Sequence, residues 1–76
     1  MSYVGIHLVH YDKFPSIDYG FIYIAVDKLE MSHRVSYEEG LRELEKLSKQ
    51  LGREPQHEIN QFDPTITYIT LHGCVN

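Results

Sequence analysis

The side chains able to do chemistry are scattered along this chain. His7 and His10 stand three apart in "SYVGIHLVH", residues 2 to 10, while His72 and Cys74 stand two apart near the end. On an extended strand a separation of three puts side chains on opposite faces, so His7 and His10 cannot close around one ion. His72 and Cys74 share a face, and His7 joins them if the first and last strands are neighbours. A zinc site wants a fourth ligand at matched spacing, and none stands out, because His33 and His57 fall in segments expected to be solvated loops. Neither a metal nor a cofactor is expected.

Nucleophilic chemistry fares no better. Cys74 is the only thiol, and a catalytic cysteine needs a pocket and an activating base. A chain end offers neither, so Cys74 is expected to be a frayed, idle thiol. Asp12, Asp18 and Asp27 flank the first two strands, where aspartate commonly serves the backbone hydrogen bonds of turns. There is no glycine-rich phosphate loop, no HExxH, no GxSxG and no pair of carboxylates at a recognisable spacing. A 76-residue chain also has little volume for a deep, dry pocket, since a domain of that size buries only roughly 60% of its unfolded surface. The protein is not expected to be an enzyme. An enzyme built between subunits around His7, His72 and Cys74 is the one catalytic alternative, and it predicts bound metal.

Eleven acidic and seven basic residues give a net charge of −4. That balance disfavours attachment to phosphate backbones or anionic lipid, and it is too mild for a protein imitating DNA. The longest apolar run lies within residues 21 to 26, far short of the roughly 20 residues a membrane span needs. A single cysteine and a start without a basic, apolar leader point to a reducing compartment, expected to be the cytoplasm. Residues 1 to 76 read as one domain without repeats or linkers.

The elements that must position these residues follow from periodicity. Residues 2 to 10 alternate with period two, with Val4, Ile6 and Leu8 on one side and Tyr3, Gly5, His7 and Val9 on the other. "YDKFPSID" reads as the connection of a wide hairpin. Residues 19 to 28 form the second strand, with Ile22, Ile24 and Val26 inward. "SYEE", residues 36 to 39, is a capping box in which Ser36 accepts from the Glu39 amide and Glu39 reaches back. Tyr37, Leu41, Leu44, Leu47 and Leu51 then form a core-facing helical stripe. Gly40 lies in that stripe, which predicts a close approach of helix backbone to sheet, and Gly52 ends the helix. Glu38 with Arg42, and Glu45 with Lys49, are expected ion pairs on the wet side. A short edge strand is allowed near residues 56 to 60, and "TITYITLHG" predicts a strand over 65 to 72.

The order β-β-α-(β)-β, with a single helix on one face of a small, mainly antiparallel sheet, is a two-layer α+β fold. It points to no particular family. One helix covers one face, and parity then fixes what the other face carries: Tyr3, His7, Val9 and Tyr11, then Tyr19, Phe21 and Tyr23, then Ile66, Tyr68 and His72. None of these is charged. Large rigid rings with polar tips suit a protein-binding surface, and soluble monomers seldom leave a large apolar patch open. The protein-binding residues are therefore expected to be Tyr3, His7, Tyr19, Phe21, Tyr23, Tyr68 and His72. Phe21, Tyr23 and Tyr68 would be the anchors and the two histidines the polar supports. The partner is a second copy of the chain, as a homodimer, or a larger protein; otherwise loops 11 to 18 and 53 to 64 fold over the rings. Stacking of nucleic-acid bases also uses rings on a sheet, but it needs a cationic groove to hold phosphates, and none interleaves here. The alternative function is that of a small inhibitor masking a basic site on a larger enzyme with Glu38, Glu39, Glu43, Glu45, Glu54 and Glu58.

Overall fold

The computed structural model describes residues 2 to 75. Its chain order is β1 (Ser2–Tyr11), a short 3-10 turn (Pro15–Ile17), β2 (Tyr19–Val26), β3 (Leu29–Ser36), α1 (Tyr37–Leu51), β4 (Gln56–Ile59) and β5 (Ile66–Val75). The strands form one five-stranded sheet in the order β3-β2-β1-β5-β4, with antiparallel neighbours throughout. With α1 packed on one face, the two-layer α+β arrangement stands.

The sheet is one strand wider than the sequence pattern implies. The second strand stops at Val26 rather than running to residue 28, and Asp27 and Lys28 form a two-residue hairpin turn. Both lie in the left-handed region, with φ of 46° and 69°. This is the geometry that matches strand twist and usually selects Asn-Gly. Without a glycine the turn is hard to see, and β3 behind it buries only Val35. His33 therefore lies in a strand, not a loop, and His57 lies in β4. The last strand extends to Val75, so Cys74 is no frayed tail: it pairs with Tyr3, and its thiol is exposed.

Ile6, Leu8, Ile22, Val35, Leu44, Leu47 and Leu71 make the core, with Val4, Ile24, Ile69, Tyr37 and Leu51 packed around it. Val26 has the inward parity but sits next to the hairpin turn, beyond the last residue of β2 that pairs with β1, and is exposed. Leu41 is also exposed. At 100° per residue it lies about 90° from the middle of the arc defined by Gly40, Leu44, Leu47 and Leu51, so the buried stripe is narrower than the spacing predicts and leaves Leu41 outside it.

The helix ends are as the sequence implies. Ser36 Oγ accepts from the Glu39 amide at 3.2 Å. Ser36 is also the last residue of β3, and the reciprocal bond from Glu39 is absent from the bonds of the described residues. Gly52 takes the left-handed conformation and donates to Ser48 O at 2.9 Å. On the wet side Glu45 pairs with Lys49 and Glu43 with Lys46, both at 3.4 Å. Among the described residues the expected Glu38–Arg42 pair is not formed.

Gly40 does mark a close approach. Leu8, with no exposed surface, fills the space between Gly40 on the helix and Gly20 on β2. A methyl group added at Gly20 would sit 2.6 Å from Leu8 Cδ2 and 3.7 Å from the Gly40 Cα. Three chain segments are thus locked at one point, and that point fixes how α1 lies on the sheet.

Candidate protein-binding face

On the side away from α1, β1 runs down the middle with β2 and β5 beside it. Register places Val9 between Tyr19 and Tyr68, His7 between Phe21 and Thr70, and Gly5 between Tyr23 and His72. All seven residues expected to bind a partner stand on this face. The tyrosines and Phe21 alternate with inward aliphatics, so the same period-two pattern that builds the core delivers the rings outward.

The rings lean on one another. Tyr19 meets Phe21 edge-on with centroids 5.4 Å apart, and Tyr11 lies 6.3 Å from Tyr19. His7 packs on Tyr68 at 5.4 Å. At the other end Tyr3 contacts Tyr23 at 6.5 Å and His72 at 5.7 Å. The Tyr3 hydroxyl lies 2.5 Å from His72 Nδ1 and donates to it when that nitrogen carries no proton. Such ring pairs contribute about 0.5–1.5 kcal/mol beyond the area they bury, and here they also fix rotamers before any partner arrives. Val9, in the midst of the rings, is 3% exposed, a small second core on this side. The outer ring surfaces stay in water: Phe21 is 40% and Tyr3 37% exposed, and both histidines are exposed.

The loops do not cover this face. Asn60 accepts from the amides of Phe62 and Asp63 at 2.7 and 2.9 Å and donates to the Tyr68 hydroxyl at 2.7 Å. The loop after β4 is thereby tied to the rim beside Tyr68, and Phe62, 88% exposed, widens the apolar surface there. Thr65 bonds to the Asp63 carboxylate and holds it below its ordinary range, which stiffens the same turn. Sequence patterning does not single out Asn60 or Phe62; an Asn followed by "QFDP" is the only hint.

The face is not free of charge, as the sequence implied. β3, unseen in the pattern, adds Glu30 and Arg34 along one edge, and β4 adds Glu58 along the other. The Arg34 guanidinium lies 4.5 Å from the Tyr19 ring centroid. The Glu30 carboxylate beside Tyr23, together with burial, raises its phenol above the ordinary value. The neighbouring Tyr19 does the same for Tyr11. The outcome is an aromatic centre with a polar rim, the usual anatomy of a protein interface.

His10 points to the opposite side and does something the sequence does not disclose. Its Nδ1 lies 2.6 Å from Asp18 Oδ2 and its Nε2 2.9 Å from Asp12 Oδ1, while Asp18 Oδ1 accepts from the Tyr11 amide at 2.8 Å. The Tyr37 ring stands 6.1 Å away. With both nitrogens engaged by carboxylates, His10 has none free to act as a base; it clamps the connection between β1 and β2. Bonding to Asp18 raises its pKa above 6.5. A raised folded pKa means the stabilisation is complete below the ordinary imidazole value and is lost as pH climbs through the folded one. The melting advantage of the native chain over His10→Gln should therefore shrink as pH rises from below the ordinary imidazole value to above the raised one. An advantage constant over that span in thermal melts would rule the clamp out.

Among the described residues no three His, Cys, Asp or Glu side chains converge as a metal site would require. His7 and His72 are instead engaged by Tyr68 and Tyr3. Of the acids proposed for an inhibitory surface, Glu43 and Glu45 are paired with lysines and Glu58 lies on the sheet, so they do not form one uninterrupted negative field. No helix is long and apolar enough to cross a membrane. The fold and face define a small α+β domain with an open aromatic sheet surface. Comparison with known protein families, with characterised proteins and with solved structures gives no match.

Proposed function

We propose that this protein is a non-enzymatic binding module that docks a protein partner through the aromatic face of its sheet. One observation carries this reading: the rings are held in place by each other, by Asn60 and by Arg34, yet their outer surfaces remain in water. Preorganised aromatic area loses little entropy on binding, which is what makes tyrosine-rich surfaces effective. Phe21, Tyr23 and Tyr68 are the anchors, with Tyr3 and Tyr19 beside them and His7 and His72 as polar supports. The partner is a protein rather than nucleic acid, because Arg34 is the single lysine or arginine among the described strand residues of this face. A reducing, cytoplasmic setting suits the exposed free thiol of Cys74.

The test is affinity capture from host cells at low and high salt, comparing the native chain with Phe21→Asp/Tyr68→Asp and with Glu43→Lys/Glu45→Lys. We expect the sheet variant to lose the captured protein, the helix variant to keep it, and salt to matter little, since apolar docking is weakly screened. Capture lost with the helix variant and retained with the sheet variant would instead favour an acidic masking surface.

A further inference from the structure

The two edges of the sheet are unlike each other. β4 is four residues long and follows Pro55, the short, blunted edge that discourages pairing. β3 is eight residues long, pairs with β2 in unbroken register from Leu29 to Ser36, and contains no proline, lysine or bulge. It also carries Leu29 and Met31 at 74% and 64% exposure on the helix side, beyond the reach of α1. A long regular edge with exposed apolar side chains is a template for another strand.

The hairpin turn shows which groups are free. In a two-residue hairpin the pair flanking the turn exchanges hydrogen bonds and pairs then alternate. Val26–Leu29, Ile24–Met31, Ile22–His33 and Gly20–Val35 are thus the bonded pairs. Glu30, Ser32 and Arg34 turn their backbone N–H and C=O groups away from β2, toward the open edge, while Ser36 begins the helix.

We propose that two copies of the chain join antiparallel through β3, about a two-fold axis at Ser32, with Glu30 of each opposite Arg34 of the other. Among registers that let the free groups meet, this one sets opposite charges face to face. Moving the axis toward the turn, to Glu30 itself, sets Glu30 against its own copy; an axis at Met31 sets Arg34 against Lys28, and one at His33 leaves both charges opposite serines. Arg34 is already posed over the Tyr19 ring, on the same face as Glu30. Ser32 meets Ser32, and about six backbone hydrogen bonds form from the Glu30–Arg34 and Ser32–Ser32 pairs. On the helix side Met31 comes opposite His33 and Leu29 opposite Val35, which removes the exposed apolar pair from water. The axis is perpendicular to the sheet, so the two aromatic faces become one continuous surface. The edges that remain are two copies of short β4, so the assembly closes as a dimer rather than growing into a fibre. This contact is independent of what docks on the rings.

Sedimentation equilibrium from about 1 to 300 µM, the range in which so small an interface dissociates, gives the test. We expect the native chain to reach the dimer mass and Tyr68→Asp, on the aromatic face but three strands away, to do the same. Ser32→Pro removes an amide that β2 does not use, and proline is tolerated at such edge positions; it should raise the dimer dissociation constant about tenfold or more. Glu30→Arg and Arg34→Glu should each weaken self-association, and an equimolar mixture of the two should form a heterodimer, visible by native mass spectrometry. A monomeric native chain, a dimer indifferent to Ser32→Pro, a dimer lost in Tyr68→Asp, or a mixture that fails to associate would each overturn the proposal.

Discussion

Leu8→Ala is expected to remove about 3–5 kcal/mol of stability, the upper part of the range for a leucine truncated in a core that cannot collapse. Leu8 has no exposed surface. It is wedged between Gly20 of β2 and Gly40 of α1, so neither glycine has a side chain that could swing into the space left behind. Filling it would require the helix itself to sink toward the sheet, against Val35, Leu44 and Leu47. For a domain whose whole stability lies near the low end of about 5–15 kcal/mol, that loss brings the chain close to its unfolding midpoint. Urea denaturation followed by far-UV circular dichroism measures it. A loss below about 2 kcal/mol, less than other buried leucine truncations cost, would show that the contact is looser than its geometry.

Gly40→Ala tests the same point from the opposite direction, and its sign depends on Leu8. Alanine in a helix interior gains about 1 kcal/mol over glycine from propensity alone. Here the added methyl would overlap Leu8 Cδ2 and lie 3.6 Å from Val35 Cγ2. The Leu8 methyl is the end of a flexible side chain, which ordinarily would yield. Enclosed as it is, it has nowhere to go, and overpacking costs typically about 1–3 kcal/mol. Overpacking wins, and Gly40→Ala should destabilise the native chain by about 1 kcal/mol. In the Leu8→Ala background the obstructing methyl is gone and the sign should reverse, so the double variant is more stable than Leu8→Ala alone. Such a reversal is a coupling between residues in contact, which a double-mutant cycle isolates. Additive effects of the two changes would disprove the lock.

These effects bear on function because the lock sets the sidedness of the sheet. With α1 seated over Leu8, Ile22 and Leu71, the rings of β1, β2 and β5 have no internal element left to cover them. The aromatic face is thus a consequence of having one helix, and the rim charges that finish it come from the edge strands.

The period-two patterns of β1, β2 and β5, the Ser36 cap, the Gly52 stop and the glycine at the helix–sheet contact were all legible in the residues, because each reports a local backbone requirement or burial on a single face. From them alone came the two-layer arrangement and the side on which Tyr3, His7, Tyr19, Phe21, Tyr23, Tyr68 and His72 lie. Only the tertiary structure decided that residues 29 to 36 form a strand. That segment is held by its backbone bonds to β2 and buries one side chain, so it leaves almost no hydrophobic signature, and its charges on the face stayed hidden with it. The same holds for contacts between residues far apart in the chain, such as Tyr3 with His72, 69 positions away, and for His10 reaching Asp18 across a connection. Periodicity records how each residue relates to its neighbours in sequence, whereas these meetings depend on strand order and loop path, which are set by the chain as a whole.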